Sequence, residues 1–115
     1  MYSLNFGEGL FMPLKKVFLT DNTCKVTFKV AKDACKNVSK INIVGDFNSW
    51  SSTETPLVKQ KDGSFAVTIE LDSDREYQFR YLFDGVRWEN DWKADKYIPA
   101  PFSNADNSVI VTKKE

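Results

Sequence analysis

Three tryptophans, Trp50, Trp88 and Trp92, stand among amide and charged side chains. Trp50 closes "VGDFNSW", residues 44–50. Trp88 and Trp92 fall in "RWENDWKAD", residues 87–95. Indole rings beside Asn, Asp, Glu and Arg suit the recognition of a sugar ring. The apolar face of a pyranose stacks on the indole, and its hydroxyls take directional hydrogen bonds. For Trp50 two readings stand side by side: the ring folds back to cap the core, or a ligand covers it. Trp92, four residues past Trp88, reads as a loop anchor packed against Tyr97 or Phe102. A second chemistry would need paired carboxylates. Glu89, Asp91 and Asp95 could supply the two acids of a glycosidase, roughly 5–9 Å apart. Yet 16 acids balance 16 bases, and nothing in the sequence marks one acid as desolvated. These carboxylates therefore read as solvated surface, and the chain as non-catalytic.

The composition narrows the chemistry further. There is no histidine, which removes Ser-His-Asp and Cys-His nucleophiles and the commonest metal ligand. Two cysteines without histidine make a poor zinc site. No metal, cofactor or catalytic residue is expected. Cys24 shares the parity of Val26, Phe28 and Val30, so it reads as a small buried hydrophobe rather than one half of a bridge.

The residues that must position these groups read as strands. Cys24, Val26, Phe28 and Val30 alternate with Lys25, Thr27 and Lys29. Phe65, Val67, Ile69 and Leu71 share one face of the next alternating run. Tyr77, Phe79, Tyr81 and Phe83 share a face of another, with Gln78, Arg80 and Leu82 on the reverse. Arg80 therefore lies mid-strand on a face that is either solvated or binds something. An apolar run, residues 41–44, leads into the Trp50 corner, and "SVIVT", 108–112, is a further short run. Asp62-Gly63 and Asp84-Gly85 are turn pairs for tight hairpins. "DSDRE", 72–76, reads as a longer hairpin loop, and "IPAPFSNADN", 98–107, as a loop along one edge or end. "LFMPLKKVF", 10–18, reads as a short helix or an extended arm, paired with an edge strand or packed across the sandwich. These features predict a small antiparallel β-sandwich of about seven or eight strands.

Length suits one domain with its own core. A formal net charge of zero argues against nucleic acid or an anionic membrane as partner, since both reward a basic excess. No signal peptide or apolar run of membrane-spanning length is visible, which leads to the expectation of a cytoplasmic protein.

The stretches "INIVGDFNSW", "PLVKQKDGSFAVTIEL", "EYQFRYLFDGVRWEND" and "NSVIV" occur in that order over roughly residues 24–112. Together they resemble the glycogen-binding domain of AMP-activated protein kinase beta subunits. They are equally similar to the early-set domain ahead of the barrel in isoamylases and glycogen-branching enzymes. Both belong to family 48 of the carbohydrate-binding modules. The resemblance implies an immunoglobulin-like β-sandwich over residues 23–115, preceded by an N-terminal arm, 1–22. It implies non-catalytic binding of α-1,4-glucans such as glycogen, maltodextrin or starch fragments. By the same resemblance, Trp50 and Trp88 are the stacking rings, Arg80 takes the place of a lysine, and Asn107 opens the last strand at the sugar site. Two departures accompany it. The kinase subunits grip the sugar with a leucine and a threonine before the last strand, where this chain has Ser103 and Ala105, which implies a shallower or differently selective site. No barrel follows the domain in this sequence, so it reads as a free-standing module. Many early-set domains lack a sugar site and dock on a catalytic barrel. The alternative is thus a protein-interaction module that docks on a glycan-processing enzyme or on itself.

Overall fold

Alternation decides which side chains face inward, and hydrogen bonding decides which strands become neighbours. The structure, a computed structural model, describes residues 14–101 and 105–114. Nine strands run through the described residues: β1 (Lys15–Phe18), β2 (Thr23–Val30), β3 (Ile41–Gly45), β4 (Val58–Lys59), β5 (Phe65–Asp72), β6 (Glu76–Phe83), β7 (Arg87–Glu89), β8 (Lys96–Pro99) and β9 (Asp106–Val111). Two short 3-10 turns, Lys32–Ala34 and Asp46–Asn48, accompany them, and no α-helix occurs among these residues. One sheet has the order β1-β2-β5-β4. The other has the order β3-β6-β9-β8, with β7 also paired to β6. All pairings are antiparallel. The molecule is an all-β, immunoglobulin-like sandwich: the alternation predicts the sandwich, and the resemblance implies its immunoglobulin-like arrangement. It has more strands than expected because β1, β4 and β8 are short edges with too few residues to display a period.

The inward faces are the ones read from the sequence. Cys24, Val26, Phe28 and Val30 of β2 meet Tyr77, Phe79, Tyr81 and Phe83 of β6 in one buried cluster. Phe28 and Phe79 pack edge to face across it, with ring centroids 5.0 Å apart. Cys24 and Cys35 are both buried and free, and burial raises both thiol pKa values. No helix of the described residues is long and apolar enough to cross a membrane.

Two local expectations change, and one open alternative is decided in favour of an extended segment paired with an edge strand. "DSDRE" is not a hairpin. It carries the chain from β5 in one sheet to β6 in the other, so the two most strongly alternating strands never pair. Alternation reports a strand and its buried face but not its partner. The crossing is held by Tyr77, whose hydroxyl accepts a hydrogen bond from the Asp72 N–H at 3.0 Å and donates to the Asp72 carbonyl at 3.3 Å. Such a tyrosine corner recurs in immunoglobulin-like sandwiches. Thr112 reinforces it by donating from Oγ1 to the same carbonyl at 2.7 Å. Residues 15–18 are not helical: β1 pairs with β2 at the sheet edge, while residues 10–13 lie outside the described residues. Second, Ile98 and Pro99 belong to β8 rather than to a loop. The edge position tolerates a proline, because no inner ladder bond is lost there.

The two Asp-Gly pairs do turn the chain. Gly63 has φ +90°, and Asp84 and Gly85 have φ +53° and +76°. Tyr77→Phe is expected to lower unfolding stability by about 1–2 kcal/mol, from the loss of both hydroxyl bonds to Asp72. Urea unfolding of the two proteins measures it, and an unchanged midpoint would contradict the role given to the corner.

Candidate functional site

The corner after β3 is made by six consecutive residues, Gly45 to Trp50, that do different jobs. Gly45 is there because β6 passes too close for anything larger: a Cβ would lie 2.5 Å from the Gln78 carbonyl oxygen and 2.7 Å from Phe79 Cβ. Phe47 turns inward and packs near Phe28, Tyr77 and Phe79. Asn48, 5% exposed, replaces the missing backbone partners of the bend. Its Oδ1 accepts from the Gly45 N–H at 3.0 Å, and its Nδ2 donates to the Ile43 carbonyl and to Thr55 Oγ1, both at 2.9 Å. Ser49 and Trp50 then adopt φ +57°, a left-handed conformation that costs non-glycine residues on the order of 1 kcal/mol each. The Trp50 N–H closes the bend on the Gly45 carbonyl at 2.9 Å.

Trp50 emerges 39% exposed, so it does not cap the core. Its orientation is fixed by Asp46. That carboxylate accepts the indole Nε1–H at 2.9 Å on one oxygen and the Gln78 backbone N–H at 2.7 Å on the other. One acid thus holds the ring of the corner against the neighbouring strand.

The outer face of β6 continues from there. Arg80 donates from Nε to Asn107 Oδ1 at 2.7 Å, and Asn107 donates from Nδ2 to Gln78 Oε1 at 2.9 Å. With its acceptor used, the Asn107 amide orients both neighbours. Trp88, on β7, stands opposite Leu82 in the register, on the same outer face as Arg80 and Gln78. It is 46% exposed. Val44 and Leu82 are buried on this face although neither belongs to the core cluster, so the face is not a simple solvated surface.

All four residues singled out above, Trp50, Arg80, Trp88 and Asn107, line one open groove of about 560 Å³. Asp46, Gln78 and the Pro99–Pro101 turn complete its described lining. Two exposed indoles flank a floor of interlocked amide and guanidinium groups. Asp46 and Arg80 are the charged side chains of that lining, one of each sign. Sequence reasoning placed Gln78 on the Arg80 face without giving it a role, and it missed Asp46 altogether. The signal available for Asp46 was its place four residues before Trp50. Ser103 and Phe102 lie outside the described residues, and Ala105 is an exposed residue just before β9.

Two other expectations are corrected. Trp92 is no anchor: it is 73% exposed, the most exposed of the three indoles, and the Tyr97 hydroxyl instead donates to the Asp91 carbonyl. The acids near it are also not uniformly solvated. Asp91 is buried and accepts the Tyr81 hydroxyl at 2.5 Å and the Lys93 N–H at 2.7 Å. Burial raises its carboxyl pKa, against the lowering effect of those bonds. Asp95 accepts the Val111 N–H and pairs with Lys16 at 2.8 Å, while Glu89 pairs with Arg87 at 3.0 Å. Each of the three has a structural partner. Among the described residues, no group of three or more Cys, Asp and Glu side chains is placed to hold a metal ion.

A β-sandwich whose outer face carries two half-exposed indoles over a hydrogen-bonded polar floor has the make-up of a carbohydrate-binding module. The profile of carbohydrate-binding module 48 (isoamylase N-terminal domain) matches residues 20–98, and the chain belongs to that family. It is also similar to a 1,4-alpha-glucan branching enzyme, GlgB, of Aquifex aeolicus (strain VF5), with 30% identity over 74 residues. The match takes in 64% of this chain and 12% of the enzyme, so the chain corresponds to a small part of that relative.

Asp91 gives a pH test whose sign follows from its burial. Its folded-state pKa lies above the unfolded value, so the folded form holds the proton more tightly. The resulting stability is present below the unfolded pKa, near 3.8, and is lost as pH rises through the raised value. The unfolding free energy of the wild type relative to Asp91→Asn should therefore fall as pH rises from about 4 to 7. Urea titrations across that range check it, and a difference that grows with pH would contradict it.

Proposed function

We propose that the chain binds α-1,4-glucans, such as glycogen, maltodextrin or starch fragments, in the groove between Trp50 and Trp88, without catalysing a reaction on them. The observation that carries this reading is the convergence of two half-exposed indoles on one groove whose floor is already hydrogen-bonded. Trp50 and Trp88 stack on glucose rings. Arg80 and Gln78 offer the N–H groups left over from the Asn107 network to sugar hydroxyls. Asp46 acts through Trp50 by keeping the ring in place before the ligand arrives, which lowers the ordering cost of binding. Membership of a carbohydrate-binding family and similarity to a glucan branching enzyme support the substrate class.

Each stacked ring contributes about 1–3 kcal/mol. Two of them, less the cost of ordering a flexible glucan, give a Kd on the order of 10 μM to 1 mM. The deciding experiment is a titration with maltoheptaose, followed by amide and indole NMR shifts, with cellohexaose as control. Maltoheptaose should move the Trp50 and Trp88 indole signals and cellohexaose should not. Trp50→Ala and Trp88→Ala should each weaken binding by about 1–3 kcal/mol while lowering unfolding stability by less than about 1 kcal/mol. If the rings were core residues the ranking would reverse, with about 3–5 kcal/mol lost in stability.

Salt provides an independent check. A neutral glucan releases no counterions, and among the described residues of the lining Asp46 and Arg80 offset each other. The Kd should stay within about two-fold between low and moderate salt. A tenfold weakening would point to an anionic partner instead.

A further inference from the structure

Trp92 belongs to neither the core nor the groove. It lines a separate cleft of about 220 Å³, walled by the end of β2, the Lys32–Ala34 turn and residues 89–93. Val30, Ala34 and Phe83 supply apolar walls. The cleft opens on the other side of β7 from the groove: it is lined by Tyr81 and Phe83, whose parity is inward, whereas Trp88 shares the outward parity of Leu82.

The charged groups around this cleft are mostly committed. Lys29 pairs with Asp62 at 3.7 Å, Glu89 with Arg87 at 3.0 Å, and Asp91 with the Tyr81 hydroxyl. Asp33 and Lys93 remain, and their side chains have no hydrogen-bond or ion-pair partner among the described residues. The rim therefore offers one strong acceptor, one strong donor and a bare indole, with no net charge between the two free groups. Lys29 and Lys93 face Asp33, Glu89 and Asp91 around the cleft, so neither sign of charge dominates it. A docking protein is poorly served, because the exposed ring and the small apolar walls of the cleft are rimmed by charged residues and fall short of an apolar patch of several hundred Å². The volume falls below the roughly 300–1,000 Å³ of pockets for drug-sized ligands, which leaves room for one or two small rings. A neutral ring with one apolar face and hydroxyls that both donate and accept meets each of these conditions.

We infer that the Trp92 cleft is a second saccharide site, which takes one or two pyranose units of a neutral glycan independently of the Trp50–Trp88 groove. Its ring stacks on Trp92 while Asp33 accepts from one hydroxyl and Lys93 donates to another.

The test titrates maltotriose into the wild type and into the Trp50→Ala/Trp88→Ala double variant, with indole and amide NMR as readout. In the wild type, the Trp92 indole should move with its own saturation curve, distinct from those of Trp50 and Trp88. In the double variant that curve should persist. Trp92→Ala or Asp33→Ala in that background should weaken the remaining binding at least about five-fold. Asp33→Ala in the wild type keeps all three indoles and isolates the loss to the Trp92 curve. A Trp92 signal that stays still at saturation of the groove, or that loses its response in the folded double variant, overturns the inference. So does a Trp92 signal that shifts with protein concentration alone, because a second copy would then occupy the cleft. Failure of the groove reading looks different: Trp50 and Trp88 would be silent while Trp92 still responds.

Discussion

Residue 45 has no room for a side-chain carbon, and much of the molecule's outer face follows from that. Gly45 lets β3 lie hard against β6, and the bend that follows leaves the Gly45 N–H and the Ile43 carbonyl for a side chain to satisfy. Asn48 supplies the missing partners from its side chain. Only then does Phe47 fall into the core while Trp50, three residues later, is left outside. The left-handed conformations of Ser49 and Trp50 are unfavourable on their own, and they persist because the surrounding hydrogen bonds over-determine them. The corner converts a packing restriction into an exposed aromatic ring at a fixed place.

The rest of the groove extends that arrangement across three strands. Asp46 links the corner to β6 through the Gln78 N–H, Gln78 and Arg80 reach β9 through Asn107, and β7 adds Trp88 beside them. Each polar side chain of the described floor already has a neighbouring partner. On the proposed reading, a glucan would meet groups that need little reorganisation, which matters when individual stacking contacts are modest.

Much of this was legible in the sequence, and the parts that were not share a physical cause. Period-two alternation identifies the buried face of a strand directly, so the inward residues of β2, β5 and β6 could be read without error of parity. The same parity put Gln78 and Arg80 together on the reverse face. Pairing is another matter. β5 and β6 alternate equally well, and nothing in either strand says that the chain between them changes sheets. Loops are harder still. Trp92 is four residues from Trp88, but the turn after β7 carries it to the opposite side of the strand, where spacing has no meaning. Asp91 and Asp95 look alike in sequence, yet only Asp91 sits under Tyr81, where burial governs its charge. Trp50 and Trp88 stood out by residue type and surroundings, whereas their pairing in one site with Asn107 was reached through resemblance. Asp46 escaped because its work is to orient another residue.

The sheet edges carry one more consequence. An open β-sandwich presents rows of unpaired N–H and C=O groups that can template pairing with another copy. Here β4 has only two residues, β1 opens with Lys15 and Lys16, and β8 begins with Lys96 and ends at Pro99. The free side of β3 is occupied by the chain around Pro56, where Ile43 N–H donates to the Thr55 carbonyl at 3.0 Å and Leu57 N–H to the Ile41 carbonyl at 2.8 Å. Among the described residues, each of these borders is therefore short, charged, interrupted by proline or already covered. A domain whose copies gather at high local concentration, side by side on one surface, is exposed to fibrous self-assembly through such borders. These borders make that route unfavourable without enlisting any residue of the groove's floor.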